Sequence, residues 1–219
     1  MDKKVPILAK TELFRGIPPE EISDMLNHLQ HHEEQYLSEG ILQWEQSRVN
    51  DIGILLSGSA IAYRTTPSGN QVIMSRLHPA SVFGDILAAD PMRTSPVTIE
   101  AAEPCTVLYI DYNSFITGSI RNCSGYAQLM HNYIETISRR YFSLQDRIAC
   151  LILPSLREKI LYFLMEQSGG KRGETFQIPF DRAGMANYLN ADRSALSREL
   201  SLLQKEGKID YHKDHFKLL

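Results

Sequence analysis

Three features of the sequence predict a mixed α+β chain. Between residues 36 and 111, short apolar or alternating runs are interrupted about every eight to twelve residues by turn residues, the pattern of an all-β sandwich or barrel. From about residue 126 to 153 one apolar stripe recurs at heptad spacing, which predicts a single long helix. Residues 181–203 read as two short helices around a tight connection, followed by two extended runs about Lys213-Asp214.

Composition sets the outer bounds. A chain of 219 residues with 43% hydrophobic and 22% charged residues is ordinary for one or two globular domains. No run of eighteen apolar residues occurs, and the opening MDKKVPILAK has too short an apolar stretch for a signal peptide. A cytoplasmic protein with no membrane partner is expected. Cys105, Cys123 and Cys150 are widely spaced and lack CxxC pairing, so they are read as three structural thiols, with no metal site. The net charge of −3 is uneven: residues 1–150 hold 12 Lys+Arg against 17 Asp+Glu, whereas residues 151–219 hold 11 against 9. The mildly basic end coincides with the helix pair.

Taken in order, PEEISDMLNHLQ places Ile22, Met25, Leu26 and Leu29 on one helical face, with Pro19 in the first turn beside Glu20 and Glu21. The cluster His28, His31, His32, Glu33 and Glu34 has no further partner at ligand spacing and is read as a solvated face. The strands are ILQWE, DIGILLSG, SAIAYRTT, QVIMSRL, VTIEAA and CTVLYID, with a hairpin turn at Pro67-Ser68-Gly69-Asn70. Among them, SVFGDILAADPMRTSPVTIEA opens into irregular backbone after Gly84-Asp85, where a small ligand would sit.

The long helix carries Met130, Ile134, Ile137, Tyr141, Leu144, Ile148 and Leu151 at alternating steps of four and three. That stripe packs either on its own barrel or on a second copy; its narrowness and regularity favour a dimer seam. Pro154-Ser155 ends the helix and begins a hinge. LREKILYFLMEQ is an amphipathic helix stopped at Gly169-Gly170, residues 176–179 form a short strand, and residues 207–218 form a hairpin wing carrying His212 and His215.

The helix pair has the residue types that DNA reading needs. Asp192 is placed to cap the second helix. Leu196, Leu200 and Leu203 face inward, while Arg193, Ser194, Ser197 and Arg198 face out. Arginine matches guanine O6 and N7 bidentately, whereas serine serves phosphate or base. Arg182, at the start of the first helix, is placed for the phosphate backbone, which sets register. The competing reading is a helical hairpin with a solvated charged face.

The stretches FRGIPPEEISDML, LLSGSAIAYR, VFGDILAAD, LPSLREKILYFL and FDRAGMANYLNADRSALSRELSLLQKEGKI together make the chain resemble the Crp/Fnr family of bacterial transcription regulators over nearly its whole length. The resemblance implies a double-stranded β-helix of jelly-roll or cupin-like type as sensor domain (residues 1–125), a dimerisation helix (126–153) and a winged helix-turn-helix domain (154–219). It implies base reading by Arg193, Ser194 and Arg198, phosphate contacts by Arg182 and Ser197, promoter DNA and a second copy of the chain as partners, and contact with RNA polymerase. Members that bind cyclic AMP hold its ribose with a glycine-glutamate pair and its phosphate with an arginine-serine or arginine-threonine pair. Here Gly84-Asp85 stands for the first pair, but Ser95-Pro96 stands for the second and Arg93 lies two residues early. Serine has no positive charge and proline no amide proton. Cyclic AMP is therefore not expected; an unidentified small molecule is, with Phe142 pointing to an apolar one. No cysteine precedes Cys105, so an N-terminal iron-sulfur site is not expected, and His78 beside Pro79 reads as a surface residue rather than a haem ligand.

Two other classes fit the sequence less well. A cupin-type metal enzyme needs several strand histidines, and His78 is the only one between residues 36 and 111. A cyclic-nucleotide-binding module acting on another protein is opposed by Ser95-Pro96 and by the helix pair. No catalytic residue is expected.

Overall fold

The structure, a computed structural model, describes residues 4–90, 92 and 94–219. Two compact units divide the chain at residues 138 and 139, within the long helix.

The first unit is built on strands that alternate because both of their faces are covered. In β3 (Asp51–Ser57), Ile52, Ile54 and Leu56 face one core and Leu55 the other; in β8 (Cys105–Asp111), Leu108 and Ile110 oppose Val107 and Tyr109 in the same way. This is why DIGILL and TVLYI are continuous apolar runs rather than half-polar ones. β1 (His31–Tyr36), β8, β3 and β6 (Val82–Phe83) form one antiparallel sheet in that order. β2 (Ile41–Gln43), β7 (Thr98–Ala101), β4 (Ala60–Thr65) and β5 (Gln71–Leu77) form the other. Between the sheets lie Leu55, Ala62, Phe83, Ile99, Val107 and Tyr109. Phe83 lies over Gly53 so closely that a Cβ there would meet the ring at 2.2 Å.

A second core joins the outer face of β3 and β8 to helices. α1 (Val5–Leu8), α2 (Pro19–His28), α4 (Tyr112–Thr117), a 3-10 turn (Ser119–Asn122) and the start of α5 (Tyr126–Leu151) supply Leu8, Ile22, Met25, Phe115, Ile120, Leu129 and Tyr133, and the turn between α1 and α2 adds Phe14. α2 buries the face that the sequence pattern assigns to it. The short helix α3 (Asp85–Ala88) starts at Gly84, whose φ of +76° and whose missing Cβ, only 2.8 Å from the Asp51 carbonyl oxygen, both demand glycine.

β1 was not expected. HHEEQY is polar because this edge strand leaves its side chains exposed or half buried, and backbone pairing to β8 holds it. The histidine-glutamate cluster is accordingly split: His28 ends α2, whereas His31, His32, Glu33 and Glu34 lie on β1. His78 is exposed in a turn.

In the second unit, α6 (Leu156–Gln167) opens with a capping box, in which the Ser155 hydroxyl accepts from the Glu158 amide and the Glu158 carboxylate accepts from the Ser155 amide. β9 (Thr175–Gln177) completes a three-stranded sheet, in order β10 (Ile209–His212), β11 (His215–Leu218), β9, beside α7 (Arg182–Tyr188) and α8 (Arg193–Lys205). Ile160, Phe163, Leu164, Met185, Leu189, Leu196, Leu200, Leu203, Ile209 and Phe216 form its core.

Candidate nucleic-acid interface and effector region

Two aspartates start the helix pair. The Asp181 carboxylate accepts from the Gly184 amide at 2.7 Å, and that of Asp192 accepts from the Ser194 and Ala195 amides at 2.8 and 3.0 Å and from the Ser194 hydroxyl. Satisfying these otherwise unpaired amides makes α8 begin at Arg193. Those bonds, the Ser194 hydroxyl first, hold the Asp192 carboxyl below the usual carboxylate range. On the wheel of α8, Leu196, Leu200 and Leu203 are fully buried while Arg193, Ser194, Arg198 and Ser201 are exposed and Ser197 half exposed. The structure thus brings Arg193, Ser194, Ser197 and Arg198 onto one face.

The serines are more constrained than their residue type implies. Ser194 donates its proton to Asp192, and Ser197 donates to the Arg193 carbonyl at 3.0 Å. In these rotamers both offer acceptors outward. That suits an amino group on a base edge, but a phosphate contact from Ser197 requires its helix bond to be given up, at about 0.5–1.5 kcal/mol.

Three positioning features escape sequence reading. Arg157 of α6 pairs with Glu199 through Nε at 2.6 Å and with Glu206 through both terminal nitrogens at 2.8 Å, clamping α8 at its middle and just past its end. Bonding to Arg157 holds the Glu206 carboxyl below its usual range. Arg182 lies 5.0 Å over the Tyr211 ring and 5.8 Å from the Phe216 ring, so the wing fixes its guanidinium. At the wing tip Lys213 takes φ +55°, the conformation that usually selects glycine or asparagine, while the Asp214 carboxylate accepts from Gln177 at 2.7 Å. A cleft of about 560 Å³ lies between them, lined by Gln177, Phe180, Asp181, Arg182, Lys213 and Asp214. The only sequence signals were the alternation in DYHKDHFKL and an arginine followed much later by two glutamates.

In the roll, Gly84 and Asp85 begin α3, and Asp85 is buried with its carbonyl accepting from the Tyr133 hydroxyl at 3.1 Å. Ser95 is buried, but its hydroxyl donates to the Val97 carbonyl at 2.7 Å. Pro96 is exposed. Phe142 belongs to the second unit, where it lines a cavity of about 330 Å³ with Asp146, Cys150, Tyr162, Glu166 and Tyr188. Arg93 lies outside the described residues. All three cysteines are buried, and burial first of all pushes each thiol up, joined at Cys123 by a hydrogen bond with Asp24, so that without a bound cation the thiolate is disfavoured.

Comparison with known proteins agrees with this layout. The family model of the cyclic nucleotide-binding domain matches residues 33–117, and that of the Crp-like helix-turn-helix domain matches residues 158–219. The cyclic AMP receptor protein of Thermus thermophilus is 23% identical over 199 residues, 90% of this chain and 87% of that protein. The crystal structure of the Thermus thermophilus catabolite activator protein aligns with TM-score 0.58 at 20% identity, covering 95% of this chain and 94% of that one. The potassium channel SKOR of Arabidopsis thaliana is 31% identical over 114 residues, 51% of this chain but only 13% of the channel, a likeness of one domain. The chain belongs to the Crp/Fnr family.

Crp/Fnr proteins of this type are transcription regulators rather than enzymes, and their helix-turn-helix domains bind DNA as dimers. The Crp/Fnr layout assigns the two sheets to a cyclic nucleotide-binding-type β-roll and α7–α8 to the DNA-binding helix pair. Among the described residues no helix is long and apolar enough to cross a membrane.

Proposed function

We propose that the chain acts as a homodimer whose two α8 helices read the half-sites of a near-palindromic promoter sequence, with engagement governed by a small molecule in the roll. The observation that carries this is the exposed face of α8: Arg193 and Arg198 project from a helix capped by Asp192 and clamped by Arg157, and neither arginine makes a side-chain hydrogen bond among the described residues. Arg193, Ser194 and Arg198 serve as base readers. Arg182 with Lys213, which flank the wing cleft, and Ser197 in its alternative rotamer serve the backbone. RNA polymerase is the partner of the DNA-bound dimer. The division of labour is a sensory roll at residues 1–125, a dimerisation helix at 126–153 and a winged DNA-binding domain at 154–219.

The seam is supported by what α5 leaves uncovered. Met130 and Ile137 are half buried against the core of the first unit and Leu151 is half buried, but Ile134, Tyr141, Leu144 and Ile148 are 63, 55, 58 and 46% exposed. Large apolar side chains repeated along one helix face and left in water are the pattern that a second copy buries. The effector is argued by exclusion: with Ser95 bonded to its own turn and Pro96 lacking an amide proton, these two positions give a cyclic phosphate no donor.

Selection of binding sites from random duplexes by the purified protein, followed by anisotropy titration on the selected site, tests the reading. Recovery of a two-fold-symmetric site with half-sites about one DNA turn apart is expected. Recovery of no sequence preference overturns it.

A further inference from the structure

On the surface of the first unit, side chains from two distant places in the sequence meet. Asp24 and His28 stand four residues apart on α2, so helix periodicity puts them on one face. Cys123 caps the 3-10 turn that precedes α5. One ligand atom from each lies within 4.8 Å of the other two, and His28 Nε2 is 3.9 Å from Asp24 Oδ1. Ligand atoms around a tetrahedral zinc ion, at bond lengths of about 2.0–2.3 Å, stand roughly 3.3–3.7 Å apart. Small side-chain rotations close that difference.

Two further features fit a metal better than a chance cluster. His28 Nδ1 lies 3.2 Å from the Ser119 hydroxyl, which leaves Nε2 turned towards Asp24. Such an outer bond is what orients metal-bound histidines. Accessibility is graded: Cys123 is only 8% exposed and forms the floor, whereas the side chains of His28 and Asp24 are 40 and 59% exposed and form an open rim. An ion can enter from solvent and meet sulfur, nitrogen and oxygen donors. That mixture suits a borderline-soft divalent ion.

We propose that Asp24, His28 and Cys123 bind one divalent transition-metal ion, zinc by its donor chemistry, with the fourth position left to water. The ion ties α2 to the turn that leads into α5, and its binding adds to the stability of the first unit by mass action. Sequence reading set metals aside because Cys123 has no neighbouring ligand along the chain; the fold supplies the other two.

Tag-free, metal-stripped protein titrated with Co²⁺ alone tests this. One equivalent per chain is expected, with a thiolate-to-cobalt charge-transfer band in the near ultraviolet and tetrahedral d–d bands in the visible, both displaced by Zn²⁺. Cys123→Ser removes the charge-transfer band, whereas Cys105→Ser and Cys150→Ser keep it. His28→Ala, a change at a partly exposed position that leaves the far-ultraviolet circular dichroism intact, weakens binding at least about tenfold, and Ser119→Ala by about 10–100-fold. Zn²⁺ raises the melting temperature of the unsubstituted protein but not that of His28→Ala. Absence of the band from the unsubstituted protein, its survival in Cys123→Ser, or unchanged affinity in His28→Ala overturns the proposal.

Discussion

At the scale of single residues, Asp192 does two things at once. It satisfies the amides at the start of α8 and, by taking the Ser194 proton, leaves that hydroxyl as an acceptor, the form that the proposed base reading uses. Asp192→Ala is expected to lower stability by about 1 kcal/mol, read from thermal or urea melts, and to change base preference where Ser194 reads. Arg193→Ala is expected to cost about 1–3 kcal/mol on the selected site while leaving binding to unrelated duplexes and its salt slope nearly unchanged. Lys213→Ala should do the opposite, weakening all duplexes alike and reducing the salt slope by about one. Anisotropy titrations at several salt concentrations separate these two outcomes, and equal loss on every duplex for Arg193→Ala removes it from the base readers.

At the scale of elements, α8 is held by a charge clamp on one side and apolar packing on the other. Glu206 is bonded to Arg157 and its carboxyl lies below the ordinary 4.5, so across that window the unfolded chain binds the extra proton. The clamp's contribution is therefore present above about pH 4.5 and is lost as pH falls through the lowered native value. Melts of Arg157→Met against pH should show a shallower acid decline than the unsubstituted protein; an identical decline would show that the clamp contributes nothing. Along α5, Leu144→Glu tests the seam more cleanly than Ile137→Glu, because Leu144 is exposed while Ile137 is half buried in its own unit. Light scattering should report a monomer with unchanged circular dichroism, and a dimer sinks the seam. In the roll, Gly53→Ala drives a methyl group into the Phe83 ring and is expected to cost about 1–3 kcal/mol.

At the scale of the whole molecule, the unit with the cyclic nucleotide-binding-type roll and the unit with the Crp-like helix-turn-helix share one helix. Cyclic AMP should leave the melting temperature of the full chain unchanged, whereas a true effector of the roll raises it and alters affinity for the selected duplex. A rise with cyclic AMP would overturn the reading of Ser95 and Pro96. Much of this organisation was legible beforehand. α2, β3, β8, α6 and the helix pair follow from apolar periodicity, which reflects burial of one or both faces. β1 was not legible, because a polar edge strand held by its partner's backbone carries no apolar signal, and α1, only four residues long, has too few turns to show a period. The proposed reading face of α8 was visible as residue types. The state of its serines was not, since a hydroxyl's direction depends on its rotamer.

By itself, then, the sequence determined what local periodicity and capping chemistry encode: where the strongly periodic helices and strands run, which face of each is apolar, and that Asp192 starts α8. Tertiary structure decided what depends on residues far apart in the chain. Arg157 meets Glu199 and Glu206, Arg182 meets Tyr211 and Phe216, and Cys123 joins Asp24 and His28. Charges, rings and thiols have no period along a chain; their partners are selected only when packing brings distant backbone segments within a few ångströms.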